Sequence, residues 1–125
     1  MTRCTFEGYL WLIFVDLMMR LGSICILHRF VRNYQTRIQL GGSPRSSAVL
    51  CRAMDFACAF YPTRVLCLQR STATSLMLRR HGWHAQVVIG ATTIPFKSHA
   101  WVEVNGAVVS DKPYMRDMYQ VLDLL

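Results

Sequence analysis

Three residues have the types and the chain order that acyl-transfer chemistry uses: Cys67, His99 and Asp111. A thiol at the start of a helix would attack a carbonyl carbon. An imidazole on a following strand would take its proton and return it to the leaving amine. A carboxylate on the next strand would fix the imidazole tautomer and stabilise the imidazolium. The backbone N–H of Cys67, at a helix start, is a natural oxyanion donor. Taken singly, each residue has a plainer role. A helical Cys is commonly a small buried hydrophobe, a His is a satisfied core or surface residue, and an Asp before Lys112-Pro113 is a turn residue. Their order across helix, strand and strand is what favours the chemical reading.

The elements that must position them are legible from spacing. Gly41-Gly42-Ser43-Pro44 is a break, and Pro44 suits a first helical position. Val49, Leu50, Ala53, Met54, Ala57 and Phe60 then recur at helical spacing, and Tyr61-Pro62 ends that run. A second helix is expected over 66–80, with Cys67 in its first turn and His81-Gly82 as its stop. Trp83 to Gly90 reads as a strand and Ala91–Ser98 as a loop containing Pro95. His99 to Val104 reads as a strand, Asn105-Gly106 as a hairpin turn, and Ala107 to Asp111 as the returning strand. Residues 114–125 are expected to form a short helix or another ordered segment. Helices first and strands after imply an α+β fold, N-terminal helices packed on a small antiparallel sheet. The expected division is an N-terminal helical segment, 1–43, within the same domain as a core over 44–125.

Register decides whether His99 and Asp111 can meet. A two-residue turn at Asn105-Gly106 sets Val104 opposite Ala107, and His99 then faces Lys112. A three-residue loop with a left-handed Gly106 sets Glu103 opposite Ala107, and His99 then lies directly opposite Asp111. One step flips every side chain. A dyad calls for the bulged loop, and that register is the expectation.

A chain of 125 residues, 53% apolar and 17% charged, can build one core and is not a disordered segment. The net charge of +7 is spread over both halves, and 12 of the 14 basic residues are Arg. That favours pairing with carboxylate or phosphate. A non-enzymatic basic module on nucleic acid or membrane is the reading from another class. The dispersed Arg residues, with no aromatics interleaved, count against it. The five Cys (4, 25, 51, 58 and 67) are odd in number and contain no C-x-x-C. With four scattered His they suggest no metal site, no cofactor and no disulfide framework, and a cytoplasmic setting. Gly8–Val15 and Leu21–Leu27 are apolar runs interrupted by Asp16 and Arg20, too short to span a membrane and lacking a signal-peptide pattern. They read as a helix in which Asp16 and Arg20 pair one turn apart. Its broad apolar surface would pack on the body, bind a partner or make peripheral membrane contact. Trp101 and Phe96 are expected to pack, Arg79-Arg80-His81 to be a helix end favouring cations, and His28 and His84 to be neither ligands nor bases.

Leu66-Cys67-Leu68-Gln69-Arg70-Ser71, Leu76 to Arg80, Gly82, Val87-Val88-Ile89-Gly90 and Pro95-Phe96 together resemble one family. So do His99-Ala100-Trp101-Val102-Glu103-Val104, Gly106, Val108-Val109 and Asp111. All are similar to the leader peptidases of lasso-peptide biosynthesis, the stand-alone peptidase half of the lasso B protein. The similarity covers about residues 46–113. It implies a transglutaminase-like, papain-like fold and a cysteine peptidase that cuts the leader from a ribosomally made precursor. The family nucleophile falls on Cys67, its base on His99 and its third member on Asp111. Implied partners are the precursor leader peptide, a separate leader-recognition protein and an ATP-dependent macrolactam cyclase, with no nucleic acid. The first 45 residues are too short and apolar for a fused recognition module, so recognition is expected from another chain, docked on the N-terminal helix. A transglutaminase-like acyl transferase that cross-links amides shares the chemistry as far as the acyl-enzyme.

Overall fold

The computed structural model describes residues 3–22, 24–34, 47–62, 65–93, 95–104, 106–109 and 115–124. The break at Gly41–Pro44, Asn105, and the segment from Asp111 to Tyr114 lie outside them.

The apolar N-terminal runs form two helices, α1 (Arg3–Leu21) and α2 (Ile24–Asn33). Gly22 marks the stop, its N–H bonded to Met18 O at 2.9 Å. Asp16 and Arg20 pair one turn apart at 3.0 Å, and Tyr61 donates its hydroxyl to the same carboxylate at 2.8 Å. The next two helices are α3 (Ser47–Ala59) and α4 (Cys67–Arg80). Leu66, extended at φ −79° and ψ 156°, precedes Cys67. Gly82, at φ +93°, takes the left-handed turn after α4 that a side chain would resist.

α4 is the middle layer. Gln69 and every residue from Ser71 to Arg79 are buried, because α1 and α3 pack on one side and the sheet on the other. Leu12, Val15, Leu27, Val31, Leu50, Met54, Leu76, Met77 and Leu78 are fully buried on the helical side. Each such side chain contributes about 1.5–3 kcal/mol. Arg79 is buried as well. Its guanidinium donates to Ala85 O at 2.8 Å, to Tyr34 O at 3.1 Å and to Val31 O. Two of those carbonyls lie at the C-terminal end of α2, where a cation is favoured. Burial pulls the Arg79 pKa down from its usual value.

The sheet has four strands in the order β3-β2-β1-β4: β1 (Ala85–Thr93), β2 (Phe96–Val104), β3 (Ala107–Val108) and β4 (Gln120–Leu124). A short helix, α5 (Met115–Met118), leads into β4. All described pairings are antiparallel. The sheet carries helices on one face as expected, but two local expectations fail. Ala91–Ser98 is not a loop. β1 runs on to Thr93 and β2 resumes at Phe96, paired from Ala85↔Val104 to Thr93↔Phe96. Thr92, Thr93 and Phe96 suit strands, and Thr92 Oγ1 donates to Pro95 O at 2.7 Å across the turn. Nor is there a bulged loop between β2 and β3. Val104 pairs with Ala107 and Glu103 with Val108, the two-residue register. Gly106 is left-handed at φ +83°. The tight turn matches strand twist, whereas the longer loop would spend an extra residue without a ladder bond.

The strands divide their side chains between two faces. Ala85, Val87, Ala100, Val102 and Val104 join the core beneath the helices, and Ile89 packs on it. Val88 and Trp101 form a second cluster on the far face, closed by Met115 of α5. There Glu103, 1% exposed, accepts from Trp101 Nε1 at 2.9 Å and from Arg116 Nε and NH2 at 2.8 Å each.

Candidate active site

Cys67 is the first residue of α4 and is exposed. The first intrahelical bond is Arg70 N–H to Leu66 O at 2.9 Å. The amides of Cys67, Leu68 and Gln69 therefore stand ahead of the helical ladder, at the end of the dipole that favours an anion. Cys25 is also exposed, while Cys51 is buried and Cys58 partly so. Burial raises both of the latter thiols, Cys51 to about 11.

His99 is the fourth residue of β2 and pairs with Gly90. Its ring lies 5.5 Å from that of Tyr119 and 6.1 Å from that of Trp101, stacked on the latter at 29°. Gly90 makes room for this arrangement. A Cβ there would come within 2.8 Å of both the Trp101 ring and Tyr119 Cβ. Asp111 lies outside the described residues.

Contacts along α4 give the relation between Cys67 and His99. Ser71 Oγ donates to Ala100 O at 2.9 Å. Further along, Ser75 Oγ approaches Ala85 O at 3.5 Å, and Ala85 lies opposite Val104. α4 therefore runs alongside β2 in the same direction. Cys67 precedes Ser71 by four residues, about 6 Å of helix, or roughly two residues of strand. That brings it level with Ser98 and His99. Val102 O accepts from Val109 N–H on the β3 side. By the period of two, Ala100 O points to that same outer edge, so α4 at Ser71, one turn after Cys67, reaches the outer edge of β2. The imidazole lies on the far face with Trp101, whereas α4 packs on the opposite face, so β2 stands between the helix that carries the thiol and the ring.

With β3 in the two-residue register, an unbroken ladder would not set Asp111 opposite His99. The chain bends at Val109, directly after β3, and Asp111 lies outside the described residues. Phe96, expected to pack, is instead 74% exposed, while Trp101 is fully buried. Leu66, beside the thiol, is 53% exposed. The spacing carried no signal for Tyr119, whose ring meets that of His99, or for Met115 and Arg116, which close the far face at Trp101 and Glu103. Only the alternation of His99, Trp101 and Glu103 pointed to a shared face.

Residues 11–123 match the model of the transglutaminase-like superfamily. The chain belongs to that superfamily. The match takes in α1 from Trp11 onward as well as the sheet. A stretch of 56 residues is 46% identical to the microcin J25-processing protein McjB of Escherichia coli. That stretch is 45% of this chain and covers 27% of the relative, so the match reaches only about a quarter of McjB's length. No solved structure matches. Among the described residues, no three of His, Cys, Asp or Glu gather as a metal site would need, and no helix is long and apolar enough to cross a membrane.

Proposed function

We propose that this transglutaminase-like protein is a cysteine peptidase that removes the leader from a lasso-precursor peptide, with Cys67 as nucleophile, His99 as base and Asp111 as the third member. The observation that carries this reading is the bond from Ser71 to Ala100 O. It ties α4, one turn after Cys67, to the strand residue next to His99. The partial identity to a protein named for processing microcin J25 supports a peptide substrate.

In the proposed reaction, Cys67 Sγ attacks the scissile carbonyl carbon as its proton passes to His99. The C–N bond breaks, the amine leaves with that proton, and a thioester links the leader to Cys67. Water then adds to the thioester and gives a proton to His99; the C–S bond breaks, the sulfur takes that proton back, and the leader departs as a carboxylic acid. The amides ahead of the α4 ladder are suited to hold the oxyanion. Asp111 would orient the imidazole from the segment after the bend at Val109. The precursor, a separate recognition protein and the macrolactam cyclase would be its partners.

The test is co-incubation of the chain with precursor and recognition protein, read by mass spectrometry. The expected products are the free leader acid and a core peptide with a new N-terminus. Cys67→Ala should abolish both. Transfer of the acyl group to an added amine, with no free acid, would make the protein an amide cross-linker. Undiminished turnover by Cys67→Ala would refute the nucleophile.

A further inference from the structure

The outer face of α1 is apolar and mostly uncovered among the described residues, although Phe14 rests against Trp11 and Phe30. Phe6, Leu10, Phe14, Leu17 and Leu21 are 58%, 50%, 37%, 50% and 85% exposed. Thr5, Gly8, Leu12 and Val15 point the other way and are buried. A helix that is apolar all round is a helix covered all round. Here the fold covers only half of it.

The exposed residues are not scattered. Leu10, Phe14, Leu17 and Leu21 follow a 4-3-4 spacing, the a/d seam by which one helix packs into another, and Phe6 extends it by one turn. Taking a large apolar side chain as about 150–200 Å² when fully uncovered, the stripe presents on the order of 500 Å². That is at the upper end of what monomers leave open.

We propose that this stripe is the interface of a homodimer, in which α1 of one copy packs antiparallel on α1 of a second copy about a two-fold axis near Phe14. Twice the exposed stripe is roughly 1,000 Å², the floor for a specific interface. A seam of this spacing is complementary to itself. A bilayer surface fits less well, because an interfacial helix carries a rim of Lys and Arg on its polar flank. The described charges flanking this stripe are already spent: Arg20 on Asp16, and Glu7 on His81 and Arg80.

Sedimentation equilibrium on the full chain tests it. The weight-average mass should rise from one chain to two as concentration passes through the micromolar range. The double variant Leu10→Glu/Leu17→Glu, altered only at exposed positions, should stay monomeric with an unchanged far-UV circular dichroism spectrum. Phe14→Cys should form a cross-linked dimer on mild oxidation several-fold faster than Leu122→Cys, an exposed control on β4. A wild-type chain that stays monomeric to about 100 μM, or equal cross-linking at positions 14 and 122, overturns the proposal. So does flotation of a monomeric wild type on phosphatidylglycerol vesicles, which would assign the stripe to lipid.

Discussion

Glu103 offers the sharpest test of how the far face of the sheet is held beside His99. Its carboxylate, 1% exposed, gathers one indole N–H and two guanidinium N–H groups. Glu103→Ala removes the acceptor of Trp101 Nε1 in a residue that is fully buried. An unsatisfied buried donor costs about 1–3 kcal/mol, and the vacated volume adds about 1 kcal/mol more. Glu103→Gln keeps an oxygen for the indole and loses only the charge. Arg116 is half exposed and recovers water, so this variant should cost about 1 kcal/mol. For a chain of this size, Glu103→Ala should lower Tm by roughly 10 °C and Glu103→Gln by roughly a third of that. Hydrogen bonds from Arg116 hold the Glu103 pKa below its ordinary 4.5, against burial and with help from Trp101. A depressed carboxylate stabilises the fold above its unfolded pKa and loses that contribution as pH falls through the folded value. The gap between wild type and Glu103→Gln should therefore be widest near neutrality and close below about pH 4. Thermal unfolding followed by circular dichroism between pH 3 and 7 reads both effects. A Glu103→Ala protein as stable as wild type, or a gap that widens on acidification, would refute the reasoning.

Other expectations can be checked as directly. Iodoacetamide near neutral pH should label Cys67 well before Cys51 and Cys58, whose burial raises their pKa, and before Cys25, which is also exposed but not at the start of the helix beside the strand of His99; peptide mapping reads the order. Gly90→Ala forces its Cβ on Trp101 and Tyr119 and should cost about 1–3 kcal/mol while lowering turnover, measurable by urea unfolding and by a cleavage assay. Arg79→Met strands the carbonyls of Val31, Tyr34 and Ala85 and should cost about 2–4 kcal/mol by the same unfolding assay. Asp111→Asn should slow cleavage at least tenfold and leave the unfolding midpoint within a degree or two, as a residue acting through the imidazole tautomer would.

Local punctuation carried the elements. Pro62 ahead of Cys67 and His81-Gly82 after Arg80 bracketed α4 almost to the residue. The four-residue spacing of Asp16 and Arg20 foretold their ion pair. Where local signals competed, the reading failed. Pro95 suggested a loop, but it occupies only the turn of a long hairpin whose Thr and Phe residues stay in the ladder. A His99–Asp111 dyad calls for the bulged register, whereas Asn-Gly turn geometry favours the shorter connection that the strands adopt. Contacts joining distant parts of the chain were invisible. Arg79 meets carbonyls 45 and 48 residues away, and no periodicity encodes that. The exposure of Phe96 was likewise unreadable, because an aromatic at a hairpin tip has the same letter as one in a core.

On the proposed reading, Cys67 is a nucleophile mounted on the middle layer of the molecule, and it inherits that layer's immobility. α4 cannot slide or tilt without unpacking the helices on one side or the strands on the other, so the sulfur keeps a fixed address while its surroundings drift. Changes in substrate preference are then channelled to the rim, to Leu66 and the hairpin tip around Phe96, where substitutions leave the interior untouched. A peptidase of this build would exchange one peptide for another at little cost to its folding.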